Sequence, residues 1–128
     1  MDKTIEIIAD VKGSELIGKK AKSQINPEEF LILAASFVSA TTGTGIVMSV
    51  PAHAPYDYQA LEDIKNENTK NIPESLRNQV KKINPITIIT TDGLGEIPAA
   101  DVIKRMSITN QDDPKLEDAT KELSLIHI

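Results

Sequence analysis

Apolar and polar positions alternate at both ends of the structural scale in this chain, some segments with the twofold rhythm of a strand and others with the three-to-four spacing of a helix. Residues 4–9 (TIEIIA) are rich in Ile and alternate weakly, which predicts a strand. In KGSELIGK, residues 12–19, two glycines flank a short apolar core, the mark of a turn, one helical turn or corner, and a second turn. QINPEE predicts a turn at Asn26 and Pro27, and FLILAA, residues 30–35, a buried strand behind it. GIVMSV, residues 45–50, sets Ile46, Met48 and Val50 against Val47 and Ser49 and predicts a strand apolar on both faces. The period then changes. Pro55 suits a first helical position, and Asp57, Ala60, Leu61 and Ile64 share one face, so a helix is expected over about residues 55–66. PESLRNQVKKI repeats the device with Leu76, Val80 and Ile83 on one stripe. PITIITTDG predicts a strand and a turn, IPAADVIKRM a third helix opened by proline, and DPKLEDATKEL a fourth. No internal repeat is present. The expected class is α+β or mixed α/β, with a small barrel-like sheet and peripheral helices.

Composition narrows the use of such a fold. With 128 residues, 40% of them hydrophobic, the chain can form one domain with a real core. A formal charge of −5 argues against a broad phosphate-binding surface, which needs excess Lys and Arg. There is no cysteine, so disulfides and thiolate metal sites are excluded. Apolar runs such as ITII are too short to span a bilayer, and MDKTIEIIAD is acidic where a signal peptide would be basic. A soluble, cytoplasmic protein without a membrane partner is the expectation. The hexapeptide LSLIHI, residues 123–128, lacks amphipathic logic and reads as the in-frame translation of a transposase sequencing adaptor; we set it aside as a non-native tail, and His127 with it as a ligand.

The chemistry concentrates between residues 42 and 58, TGTGIVMSVPAHAPYDY. Its glycines do not make a nucleotide loop, because the Lys-Ser/Thr ending and a third glycine are missing; a tight turn before a strand is the simpler reading. Ser49 and His53 do not make a catalytic pair, since Ser49 sits inside the expected strand and lacks an exposed elbow. One credible histidine is too little for zinc. Asp57 has two readings. In the first turn of a helix its carboxylate complements the dipole. It also lies on the face of Ala60, Leu61 and Ile64, and an inward carboxylate with no Lys or Arg near it in sequence is a fitting partner for a ligand's ammonium group. His53 is either a hydrogen-bonded corner residue or part of a site, and Met48 either core or pocket wall.

GTGIVMSVPAHAPYDYQALEDIK closely resembles a segment of the editing domain of leucyl-tRNA synthetase in its archaeal and eukaryotic branch. The flanking GSELIGKKAKS, PITIITTDGLGEIPAADVI and ITNQDDPKLEDATKEL resemble the neighbouring segments, so the likeness covers most of residues 11–122. The resemblance implies part of an editing (connective peptide) domain over residues 1–122, inserted in a class I synthetase. Such a domain hydrolyses tRNA wrongly charged with amino acids resembling leucine. It implies that Asp57 holds the substrate's ammonium, that Met48 and His53 line the pocket, and that Thr42 occupies a wall position. Water, not an enzyme nucleophile, attacks the ester. Alanine at position 54, where bacterial relatives carry an acid, assigns the branch. The implied partners are the acceptor end of tRNA(Leu), the misacylated ester and the remainder of the synthetase. ATP and magnesium belong to the parent enzyme, with no cofactor or metal in this segment. A threonine-rich segment used by the family lies upstream of everything seen here, so the segment alone is expected to be inactive. Two rivals remain: a non-catalytic appendage that binds tRNA or protein, and an editing domain of an isoleucyl- or valyl-tRNA synthetase.

Overall fold

A computed structural model describes residues 3–25 and 27–127. The turn expected at Asn26 lies outside the described residues. Where one domain was expected, the chain divides into two compact units, residues 1–34 and 35–128.

In the first unit, a single 3-10 turn at Gly13–Glu15 falls where two glycines bracket Leu16 and Ile17. A hairpin follows, β1 (Lys20–Lys22) antiparallel to β2 (Glu29–Leu31), with Ala21 opposite Phe30. Main-chain bonds Gly18 N–H to Ile32 O (2.8 Å) and Ile32 N–H to Lys19 O (2.9 Å) lengthen it by one rung. Glu29 lies 3.2 Å from Lys20 and 3.7 Å from Lys22 on one face. The strand expected over residues 30–35 is therefore shorter, begins at Glu29, and is only half-buried. Residues 4–9 form no ladder, and Ile5, Ile7 and Ile8 are exposed.

Helices dominate the second unit: α1 (Pro55–Lys65), α2 (Glu74–Val80), α3 (Pro98–Arg105) and α4 (Lys115–His127). Proline opens α1 and α3 from the first turn, where its missing N–H costs nothing. α1 packs against the other three. Ala99, Val102 and Ile103 of α3 meet Ile108 and the stripe Leu116, Ala119, Leu123 of α4 in a closed core. α4 thus continues past residue 122, because Leu123 completes the three-and-four spacing of that stripe. Residues 45–50 and 85–91, expected as strands, form no ladder among the described residues, and Ile46, Val47, Ile86 and Ile88 face solvent. The mixed α/β character is as expected, with a two-stranded sheet as its β part.

The C-terminal half of α1 is held by buried polar groups. Arg77 of α2 donates to the Ile64 carbonyl (2.6 Å) at the C-terminal end of α1, where a positive charge suits the dipole. Asp63, 2% exposed, accepts the Gln59 side-chain N–H and the Gln111 main-chain N–H, both at 2.8 Å. Removing that carboxylate strands two buried donors, each bonded to a charged group. We expect Asp63→Ala to lower unfolding stability by about 3 kcal/mol. Urea titration checks this: the midpoint falls with the slope unchanged, and Asp63→Asn, which keeps an acceptor for Gln111, loses less.

Candidate functional site

The segment residues 50–57 turns sharply between the extended chain and α1. Its first cause is Val50, whose carbonyl accepts the N–H groups of both His53 and Ala54 at 3.0 Å. Its second is Ala52, buried, whose carbonyl accepts the Ala99 N–H at 3.0 Å. One amide left open at the start of α3 is thereby satisfied by the corner that starts α1. Ala54 takes the extended N-cap conformation and makes no side-chain cap to the helix, so the corner before it is held by another group.

That group is Asp57. Two residues after Pro55, it reaches back so that Oδ2 accepts the Val50 N–H at 2.6 Å. The Ser49 side chain also bonds to it. Only 8% of the residue is exposed. Burial raises its pKa above the usual carboxylate value, and the bonds from Val50 and Ser49 oppose that rise. No Lys or Arg among the described residues is within ion-pairing distance. The inward position expected from the sequence is observed. The main-chain partner was not foreseen, because no side-chain pattern announces an N–H seven residues upstream.

His53 is partly buried at the same corner. Its Nε2 accepts the Ile88 N–H (3.1 Å), and its Nδ1 lies 3.3 Å from Nε2 of His127. His127 Nδ1 in turn lies 2.9 Å from the Leu123 carbonyl. Because an amide N–H can only donate, His53 carries its proton on Nδ1 and gives it to His127, which donates to Leu123. The His53 ring is neutral in this arrangement. Burial, then the neighbouring His127, pushes the His53 pKa down. His53 therefore ties residues 86–91 to the corner.

Thr42 and Met48 are placed differently. Thr42 Oγ1 donates to Ser39 Oγ (3.0 Å), and its carbonyl accepts the Gly45 N–H (3.2 Å). Gly43 and Gly45 both have positive φ, 59° and 70°. At Gly45 a Cβ would also come within 3.2 Å of the Ala40 carbonyl oxygen, so the second glycine is required twice over. The GTG element is thus a turn, as read. Met48 is 66% exposed and so is not a core residue. Asp57 and His53 share the corner, while Met48 and Thr42 lie on the open run leading to it. Two surface depressions lie elsewhere, one beside Tyr58, Glu62, Asp101 and Lys104, the other beside Thr90, Asp92 and His127. Among the described residues no three His, Asp or Glu side chains gather as a metal-binding group. No helix is long and apolar enough to cross a membrane.

Comparison with known proteins decides what this corner belongs to. A leucine–tRNA ligase of Methanothermobacter thermautotrophicus is 44% identical over 119 residues, 93% of this chain. Those of Methanosarcina barkeri and Pyrococcus abyssi are 45% and 42% identical over 94% and 95% of it. The solved structure described as the crystal structure of GlLeuRS-CP1 superposes with a TM-score of 0.75 and 27% identity, covering 94% of this chain and 48% of that one. The chain matches the editing domain of leucyl-tRNA synthetases. No family model matches it. It spans 12 to 13% of the length of the three curated leucine–tRNA ligases. The leucyl-tRNA synthetase reading therefore stands over the isoleucyl and valyl alternatives and over an unrelated appendage. Sequence reasoning missed three parts of this editing-domain segment: the Val50 amide, the Ala52 to Ala99 tie, and the buried pair Asp63 and Gln111. Only Asp63 had a readable signal, an acid on an apolar helix face.

Proposed function

We propose that this segment forms part of a hydrolytic site that clears tRNA(Leu) esterified with a leucine-like amino acid, in a cytoplasmic synthetase that joins leucine to tRNA at the expense of ATP with magnesium. The observation that carries the reading is the buried carboxylate of Asp57, without a cationic partner among the described residues, in a chain whose relatives are leucine–tRNA ligases. Asp57 holds the α-ammonium of the misplaced amino acid. Val50 and Ser49 orient the carboxylate from behind, leaving its remaining acceptor capacity for the substrate. Met48 and His53 line the pocket and Thr42 forms part of its wall. Water adds to the ester carbonyl, the bond to the ribose oxygen breaks, and the free amino acid and tRNA leave, so neither a metal nor an enzyme nucleophile is needed. Residues 1–122 belong to the editing domain.

The test uses the full-length protein that carries this chain, incubated with tRNA(Leu) charged with a noncognate aliphatic amino acid and, separately, with leucine. We expect rapid release of the noncognate amino acid and slow release of leucine. Release of the noncognate amino acid no faster than in buffer would remove the assignment.

A further inference from the structure

A line of buried and half-buried hydrogen bonds crosses the second unit from α1 to the segment that precedes the GTG turn. Asp63 on α1 fixes the Gln111 main chain through its N–H at 2.8 Å. With its backbone held, Gln111, itself buried, turns its side chain the other way, and Oε1 accepts the Ser36 N–H at 2.8 Å. Ser36 Oγ donates to Asp112 (2.7 Å), a second bond from the same loop. One residue on, the Phe37 ring lies 5.3 Å from that of Tyr56 in the first turn of α1. The chain that reaches Thr42 is therefore anchored at both ends of α1, at Tyr56 beside Asp57 and, through Gln111, at Asp63.

We propose that Gln111 is a positioning residue of the editing site: its amide oxygen on Ser36 sets the run of residues 36–45, and with it Thr42, relative to the helix that carries Asp57. Gln111 touches no substrate. Its buried side chain is spent on a main-chain N–H of a solvent-facing segment, an arrangement that adds nothing to the apolar core but fixes the path of the chain leading to the turn. A wall residue displaced by a fraction of an ångström changes which side chains fit, since methylene-scale discrimination depends on close packing. This inference rests on the proposed editing function, and its test separates the two.

Hydrogen exchange and deacylation are measured on the full-length protein and on its Gln111→Leu and Gln111→Glu variants. Leucine fills the space but accepts nothing, while both leave the main-chain bond to Asp63 in place. In Gln111→Leu, peptides covering residues 36–45 should exchange about fivefold faster, the equivalent of one hydrogen bond, with α1 peptides unchanged. The ratio of deacylation rates for two noncognate esters, one with a branched and one with an unbranched side chain, should shift as well. Gln111→Glu, which keeps an acceptor for Ser36, should restore both. Unchanged exchange in residues 36–45, equal quickening in α1, or an equal loss of rate on both esters would overturn the positioning role. If exchange behaves as expected while the unsubstituted protein hydrolyses neither ester, the strut stands and the hydrolytic reading falls.

Discussion

The 128-residue chain by itself should leave misacylated tRNA hydrolysing at close to its uncatalysed rate, at least about a hundredfold slower than the full-length protein. Editing needs an ester held still in a pocket closed to bulk solvent, and this corner offers neither. Met48 is 66% exposed, and Ile46, Val47, Ile86 and Ile88 beside it present apolar side chains to solvent. With the side chains around it open to solvent, an ammonium beside Asp57 stays partly hydrated and gains less from the contact. The same contact inside a closed pocket is a charge-assisted bond of about 1.5 to 3 kcal/mol. Single-turnover deacylation by the purified chain and by the full-length protein measures the difference. Comparable rates would mean that all the essential groups lie within these 128 residues.

In the full-length protein, Asp57→Ala should slow deacylation of noncognate tRNA by at least about tenfold, the rate equivalent of 1.4 kcal/mol. Aminoacylation with leucine should be nearly unchanged, since that chemistry belongs to the rest of the enzyme. Alanine also removes the acceptor for the Val50 N–H, so this variant alone confounds substrate binding with the shape of the corner. Asp57→Asn separates them. Its amide oxygen can still accept from Val50, but it carries no charge for the ammonium. Because burial raises the Asp57 pKa, the folded state holds the proton more tightly than the unfolded chain, and ionised Asp57 opposes folding at neutral pH. Asp57→Asn should therefore be at least as stable as the parent at pH 7 and lose editing all the same. Normal deacylation by a folded Asp57→Asn protein would defeat the role in binding the ammonium and leave Asp57 as a group that only holds the corner.

The helices were legible in the sequence and the strands were not, for one physical reason. A helix closes its hydrogen bonds within itself, so Pro55 and Pro98 followed by apolar residues at helical spacing are sufficient instructions. A strand needs a partner, and apolar alternation in residues 4–9, 45–50 and 85–91 says nothing of where that partner is. Among the described residues only Lys20–Lys22 and Glu29–Leu31 find one, across a short turn. The site divides the same way. Asp57 was readable because its face is set by the helix that carries it, and His53 because a corner follows from proline spacing. The bond from Ile88 to His53 and that from Ser36 to Gln111 join residues 35 and 75 positions apart, distances at which a single sequence carries no pairing signal.

Ala52 and Ala99 show what such a long-range tie does to heredity. Both are buried, and the N–H of one bonds the carbonyl of the other. A larger residue at either place would drive the main chains apart and break the bond that starts α3 at the corner of α1. Neither position can therefore drift alone. Two alanines 47 positions apart, with three other structural segments between them, thus share one constraint, and enlarging either calls for a new way to join the two helices.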